Sequence, residues 1–160
     1  MYGNKCGTSN RMKKLGTYTG KSKTLTKVAG INVRKGTYYK FIIVALDKNN
    51  NVVSTSKIIH VATRGGSVTN PKSVTVKKGT KAITSLSVKK GKTVTVKSTV
   101  AKVSKSLTLK VHRSVRYESS NKKIATVTSK GTIKGVRKGT CYIYVYAQNG
   151  VARKIKVTVN

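Results

Sequence analysis

The sequence predicts an all-β protein, and three observations support this. Many short segments alternate apolar and polar residues with a period of two, which is typical of strands with one buried face. Turn-forming Gly and Asn residues separate these segments at intervals of about ten residues, as in β-sandwiches and barrels. No long segment repeats apolar residues at helical spacing.

The clearest element is a hairpin between residues 141–148 and 151–159. Asn149-Gly150 separates two runs rich in β-branched and aromatic residues, and both turn residues tolerate a positive φ. The alternation of the second run places three apolar residues on one face: Ile155, Val157 and Val159.

A second hairpin is predicted between residues 37–46 and 52–62, across the loop Asp47–Asn51. The loop has the opening spacing of an EF-hand, Asp-x-Asn-x-Asn. Val52 stands where the calcium loop needs a glycine, and Ile58 stands where it needs a glutamate. We therefore interpret the loop as a hairpin turn.

Gly, Asn and Pro residues mark a domain boundary near Pro71, the one proline, which follows Gly65-Gly66 and Asn70. The predicted domains are residues 1–66 and 67–160. The second has the length of one β-sandwich domain, and the first falls short of it.

The second part resembles the group 2 bacterial immunoglobulin-like domains. The resemblance rests on a succession of motifs in the family's order: Tyr117-Glu118-Ser119-Ser120-Asn121, Ile124-Ala125-Thr126-Val127, Gly131-Thr132-Ile133 and Gly139-Thr140-Cys141-Tyr142-Ile143. It departs from the family in having Tyr where Trp is common and in a lengthened basic stretch, 104–116. Alternation predicts a core of six residues: Val94, Val96, Val100, Tyr117, Ile143 and Val145.

The first part is similar to the C-terminal portion of a fibronectin type III domain. The similar stretch is Gly36-Thr37-Tyr38-Tyr39-Lys40-Phe41-Ile42-Ile43-Val44-Ala45. Alternation predicts that Tyr39, Phe41, Ile43 and Ala45 face inward. The two resemblances together imply two tandem immunoglobulin-like β-sandwiches, the N-terminal one incomplete.

An incomplete sandwich leaves part of an apolar face uncovered, which costs several kcal/mol at roughly 25 cal/mol per Å². There are three alternative explanations for an incomplete domain. The sequence is a fragment of a longer surface protein, the incomplete domain forms a homodimer, or residues 1–35 pack in a way the family does not use. We favour a fragment that self-associates.

The chain has 35 Lys and Arg residues against 2 acidic residues, giving a net charge of +33. Such a charge attracts polyanions: anionic cell-wall polymers, acidic glycans, nucleic acid or anionic lipid surfaces. Lysines on solvent-facing strand positions give the simpler interpretation, a solvated surface. The densest basic cluster consists of residues in the lengthened stretch together with Lys102 just before it, and it is the candidate polyanion-binding site: Lys102, Lys105, Lys110, Arg113 and Arg116. Its alternative is a solvated extra strand or hairpin, because residues 107–111 alternate.

Catalytic and metal chemistry are not expected, and neither is a cofactor. Asp47 and Glu118 are too few for a carboxylate metal site or a glycosidase pair unless the fold unites them. His60 and His112 are interpreted as isolated surface or edge residues. Cys141 is expected in the core. For Cys6, an intermolecular disulfide remains one of the alternatives.

No apolar stretch reaches the roughly 20 residues that span a bilayer, and no apolar segment follows the N terminus as in a secretory signal. The family resemblance implies an extracellular or cell-surface location and a non-enzymatic spacer or adhesion module. The alternative is a dedicated polyanion-binding protein. Nucleic acid is the less expected ligand, because the sequence has no phosphate loop, zinc finger or helix-turn-helix. Tyr142, Tyr144 and Tyr146 offer stacking platforms for single-stranded nucleic acid, but they share one strand face beside core valines, so we favour packing on a sheet face.

Overall fold

The computed structural model describes residues 1–7, 9–109 and 112–160, and every regular element in these ranges is a strand. The predicted all-β class is confirmed. The chain forms two compact units, one made of Met1–Asn70 with Ser104–Lys110 and the other of Pro71–Val103 with Val111–Asn160. The division into domains 1–66 and 67–160 stays a prediction.

The first unit is built on a four-stranded antiparallel sheet in the order β2-β1-β5-β8, with two separate two-stranded hairpins, β3-β4 and β6-β7. Residues 1–35 thus supply two strands of the main sheet. The strands are β1 (Tyr2–Lys5), β2 (Lys13–Lys14), β3 (Lys27–Val28), β4 (Ile31–Asn32), β5 (Tyr38–Ile42), β6 (Val44–Leu46), β7 (Val52–Thr55) and β8 (Ile59–Ala62).

The inward face predicted for residues 39–45 is only half right. Tyr39 is buried and Phe41 is half-buried, where its ring packs over Gly3, its cross-strand partner. Ile43 is 49% exposed and Ala45 is exposed, contrary to the prediction. The alternation stops because β5 ends at Ile42 and the chain continues into the separate β6-β7 hairpin.

The predicted loop at Asp47 is a hairpin turn between β6 and β7. The Asp47 carboxylate accepts hydrogen bonds from the backbone N–H groups of Asn49 and Asn51 at 2.8 and 2.9 Å, and Asn50 takes a left-handed φ of 64°. The side-chain amide of Asn51 donates a further hydrogen bond of 3.1 Å to Oδ2 of Asp47. This bond, followed by the backbone hydrogen bonds, lowers the pKa of Asp47, and together they satisfy its carboxylate within the turn.

The lengthened stretch contributes to the first unit. Thr108 forms a parallel bridge with Val68, through N–H···O hydrogen bonds of 2.8 Å to Ser67 and 3.0 Å from Thr69. Leu109 and Val68 are both 6% exposed. The extra strand predicted over residues 107–111 is reduced to this bridge in its described part, and Lys110 and Val111 lie outside the described residues.

The second unit has three sheets in the orders β10-β9-β13, β11-β18-β17-β14 and β12-β16-β15. The β17-β18 hairpin confirms the predicted one, and Gly150 supplies the left-handed turn residue, with a φ of 90°. The strands are β9 (Pro71–Lys78), β10 (Lys81–Ala82), β11 (Ser85–Val88), β12 (Thr93–Thr95), β13 (Lys97–Lys102), β14 (Val115–Ser119), β15 (Ala125–Val127), β16 (Thr132–Gly135), β17 (Gly139–Ala147) and β18 (Ala152–Val159).

One apolar core joins the three sheets of the second unit, as expected for an immunoglobulin-like sandwich. The six predicted core residues all belong to it. Val96, Ile143 and Val145 are fully buried, and Val94, Val100 and Tyr117 pack against them. The residues predicted to share one face of β18 are 0–1% exposed: Ile155, Val157 and Val159.

Two lysines face each other directly across the outer face of the β9-β13 pair, Lys77 and Lys97. Like charges at paired positions destabilise a sheet, because they repel at short range. Lys97→Glu is expected to stabilise the second unit by about 0.5–1 kcal/mol at low salt. The measurement is thermal unfolding at 20 mM NaCl (a condition chosen for the test). Lys130→Glu, at an exposed turn position, is the control with the same change in net charge, and equal stabilisation by both variants would contradict the local explanation.

Candidate functional site

The residues of the predicted basic cluster lie on several elements, and their joint role as a polyanion-binding site stays a prediction. Lys102 lies exposed at the end of β13, and Arg116 is half-buried on β14, which belongs to a different sheet. Arg113 is exposed just before β14. Lys105 is exposed in a turn of the first unit, and Lys110 lies outside the described residues.

The outer face of the β11-β18-β17-β14 sheet carries a more regular array. Along β17 the odd-numbered residues from Cys141 to Ala147 are buried in the core, so the even-numbered residues point outward. We call the outward array the tyrosine face; it consists of Tyr142, Tyr144, Tyr146, Lys154, Lys156, Arg116 and Glu118.

The strand register orders the tyrosine face into three rows. Lys156 pairs with Tyr142 in the first row. In the second row, Tyr144 lies between Lys154 and Glu118. The third row pairs Tyr146 with Arg116. Each tyrosine thus has a charged neighbour on the adjacent strand.

The rings of Tyr144 and Tyr146 lie nearly parallel, with an angle of 18° between their planes and 6.0 Å between their centroids. The Nζ atom of Lys154 lies 5.0 Å from the centroid of the Tyr142 ring, within the range of a cation–π interaction. Tyr142 is 38% exposed, and Tyr144 and Tyr146 are half-buried. The tyrosines therefore lie on one sheet face, as predicted, and that face is the outer one.

The electrostatics of the tyrosine face keep the phenol of Tyr146 protonated. Burial raises the pKa of Tyr146, the nearby Glu118 and Tyr144 raise it further, and Arg116 lowers it. At neutral pH the Tyr146 hydroxyl is therefore a hydrogen-bond donor as well as an acceptor. The face combines aromatic surface, hydroxyl groups and three cations with one carboxylate.

The structure also brings together Cys6 and His60, which the sequence analysis treated separately. The Sγ atom of Cys6 lies 3.3 Å from Nδ1 of His60. Cys6 follows β1 and His60 lies on β8, on either side of β5 in the sheet. This is a correction, because His60 is not isolated. The two residues are far apart in the sequence, and only the strand order β1-β5-β8 reveals the contact.

Cys6 is a thiol rather than an activated thiolate. Burial raises its pKa, and the charge of Lys40 only partly offsets this. Cys141 is 3% exposed, as expected for a core residue, and burial raises its pKa as well. Both cysteines are free.

We expect Cys6 to react slowly with an alkylating reagent at pH 8 and Cys141 to react only after unfolding, because the thiolate is the reactive form and burial blocks access. The measurement is peptide-level mass spectrometry over a time course in native buffer and in denaturant. Cys6→Ser and Cys141→Ser identify the labelled sites. Alkylation of both residues in native buffer at the rate of a free thiol would contradict the prediction.

His112 is 8% exposed, which contradicts the surface or edge position predicted for it. Burial lowers its pKa, so the imidazole is neutral at pH 7. The alternation of the basic stretch gave no sign of this burial. Asp47 lies in a turn of the first unit and Glu118 on β14 of the second, each with neighbours described above.

Serine and asparagine side chains shape the turn that follows β14. Ser119 Oγ donates a 2.6 Å hydrogen bond to the carbonyl of Ala125, and Ser120 Oγ accepts one of 2.9 Å from the N–H of Tyr142. Asn121 Oδ1 accepts a 3.0 Å hydrogen bond from the N–H of Lys123. These contacts stabilise the turn and fix the edge of the tyrosine face beside β17.

No helix in the described residues is long and apolar enough to cross a membrane.

A search of curated proteins found no match. The family model of the bacterial Ig-like domain (group 2) matches residues 66–159, which is more than half of the chain. The fibronectin type III resemblance of the preceding part stays a prediction. Domains of the matched family are non-catalytic and occur typically in extracellular or surface proteins. The chain thus belongs to the group 2 bacterial Ig-like domain family.

Proposed function

We propose that the protein is a non-enzymatic module of the bacterial cell surface, a spacer or adhesion domain held against anionic wall polymer by its positive charge. The observation that carries the proposal is the placement of basic residues on the solvent faces of a family domain with an apolar core. Examples are Lys154 and Lys156 on β18, which are exposed while Ile155, Val157 and Val159 of the same strand are buried.

The charge supports this proposal because it cannot be neutralised within the chain. With 35 basic and 2 acidic residues, nearly all cations must be compensated by ions or by a polyanion. Binding a polyanion releases its condensed counterions, and this release drives association at low salt.

The test measures retention of the full chain by bacterial cell walls before and after chemical removal of their anionic polymers. We expect retention only by the intact walls, decreasing as NaCl rises from 50 to 500 mM (conditions chosen for the test). Counterion release predicts a slope of log affinity against log salt of about −0.7 for each contacted charge on a flexible polyanion, taking single-stranded nucleic acid as the guide. Equal retention by stripped walls would overturn the proposal.

The alternative is a dedicated polyanion-binding protein that uses the predicted basic cluster. The cluster has exposed cations in its described part, Lys102, Lys105 and Arg113. Charge reversal at Lys105, Lys110 and Arg113 tests it, with oligonucleotides and acidic glycans as probes. Unchanged affinity in this variant would eliminate the cluster as the binding site.

We also propose that the chain self-associates through the first unit. Apolar side chains on the β6-β7 hairpin support this, since Val52 and Val53 are 65% and 68% exposed. Two-stranded sheets also leave unpaired edges that favour pairing with a second copy. Light scattering should detect a dimer at 500 mM NaCl, where repulsion between copies is screened. Val52→Lys/Val53→Lys should abolish it, whereas Val103→Lys, at a 59% exposed position of the second unit, should not. A monomer at all salt concentrations would overturn the proposed self-association.

A further inference from the structure

We propose that the tyrosine face binds an extended acidic polysaccharide, with its sugar rings against the tyrosines and its carboxylates beside the flanking cations. The inference rests on the proposed function, because it assigns a ligand class and a site to the polyanion association. It places the site on the β14-β17-β18 surface rather than in the basic cluster predicted from the sequence.

The aromatic content of this surface supports a ligand with rings. Three of the eight tyrosines of the chain lie on one face of one strand. The valines and isoleucines of β17 already supply the core, so these tyrosines are not needed to fill it. Alternate strand residues are about 6.7 Å apart, so their side chains form a row along which an extended polymer can lie.

The ring geometry fits carbohydrate. Tyr144 and Tyr146 present nearly parallel rings 6.0 Å apart. The C–H bonds of a sugar ring carry partial positive charge and pack favourably against the negative face or beside the hydroxyl of a tyrosine. The phenol hydroxyls can exchange hydrogen bonds with sugar hydroxyls.

The charges select an acidic sugar chain. Lys154 and Lys156 flank the row of tyrosines on β18, and Arg116 flanks it on β14. Glu118 faces Tyr144 in the middle row, and its carboxylate repels an anion at that position. Carboxylates are therefore expected at the two ends of the face, beside Lys156 and Arg116, with a sugar ring over the middle.

Location favours a polysaccharide over single-stranded nucleic acid, which also stacks on aromatic side chains. Domains of this family occur typically in extracellular or surface proteins. Polysaccharides are the extended ring-containing polymers of that environment. A polyol phosphate chain has no rings, so its binding would depend on the cations alone.

The experiment compares two probes at 150 mM NaCl (a condition chosen for the test). Polygalacturonate has one carboxylate on each sugar ring, and polyacrylate has carboxylates without rings. We expect Tyr144→Thr/Tyr146→Thr to lower the affinity for polygalacturonate about tenfold, as loss of aromatic stacking does elsewhere, and to leave the affinity for polyacrylate unchanged. Threonine keeps the strand propensity.

Four further variants sharpen the test. Tyr2→Thr is the matched control, because Tyr2 is 38% exposed like Tyr142 but lies in the first unit; it should leave binding unchanged. Tyr144→Phe/Tyr146→Phe retains the rings and should keep the preference for polygalacturonate. If the threonine variant does not fold, this variant still tests whether the rings are sufficient for that preference. Glu118→Gln should raise the affinity two- to fivefold, and Lys156→Gln should lower the affinity for both probes.

The outcomes separate this inference from the proposed function. If the threonine variant binds both probes like the parent chain, the tyrosine face is not the site, while association with polyanions stands. If the parent chain binds neither probe at low salt, the proposed function fails as well. Tighter binding of oligo(dT) than of polygalacturonate, with the same dependence on the tyrosines, would overturn the polysaccharide in favour of nucleic acid.

Discussion

Gly131→Ala is expected to destabilise the second unit by about 3 kcal/mol or more, which corresponds to a fall in melting temperature of about 10–20 °C for a unit of this size. Gly131 has a φ of +82°, a conformation that side chains rarely adopt. A Cβ atom there would clash with the carbonyl oxygen of Val96 and lie 3.0 Å from the hydroxyl of Tyr117.

The clash is costly because Val96 is fixed. The backbone N–H of Val96 donates a 3.0 Å hydrogen bond to the carbonyl of Gly131, and the Val96 side chain is fully buried. The backbone cannot move away without breaking this hydrogen bond or opening the core.

Gly91→Ala is the matched control for conformational strain. Gly91 has a similar φ of +79°, but nothing lies within 4 Å of the Cβ that alanine would add. This variant should lose only about 1 kcal/mol, the cost of a left-handed alanine. The measurement is calorimetric unfolding of both variants, and equal losses would show that the contact with Val96 carries no penalty.

The melting temperature is expected to rise by about 5–10 °C between 20 and 500 mM NaCl (conditions chosen for the test). A net charge of +33 repels itself in the compact state, and salt screens that repulsion. Paired lysines add local repulsion across the β9-β13 and β9-β10 ladders: Lys77 with Lys97, and Lys78 with Lys81.

Two controls distinguish screening from ion binding. Sodium chloride and sodium nitrate at equal ionic strength should act alike if screening dominates. The stabilisation by Lys97→Glu should disappear at 500 mM NaCl, because the repulsion it removes is then already screened. A melting temperature that does not change with NaCl concentration would mean that local pairing or a bound anion already neutralises the surface.

The second unit could be predicted from sequence in unusual detail. The alternation in β17 and β18 fixes which residues are buried, and Asn149-Gly150 fixes the hairpin. Alternation from Cys141 to Ala147 in β17 and from Ile155 to Val159 in β18 favours one register that buries the apolar side chains of these segments, so local pattern and tertiary packing agree.

The first unit was less predictable, because its strands are short. Alternation through Ile43 and Ala45 predicts one long strand with an inward face, whereas the structure divides it at Ile43 into β5 and β6. A short segment can pair with either of two neighbours at similar cost. The strand order of a sheet decides between them, and a single sequence does not contain that order.

The candidate sites show the same division. The sequence identified the tyrosines of β17 and the lysines of β18 as strand residues. Their arrangement in rows depends on the register of β17 with β18 and β14. Arg116, assigned to the basic cluster from its neighbours in sequence, lies opposite Tyr146 through that register.

By itself the sequence determined the β class, the family of the second part, the positive charge and the apolar core of the second unit, because these follow from residue type and local periodicity. Only the tertiary structure decided the contact of Cys6 with His60, the burial of His112 and the rows of the tyrosine face. Each depends on which strands become neighbours, and long-range pairing is set by the packing of the whole unit rather than by the residues of one strand.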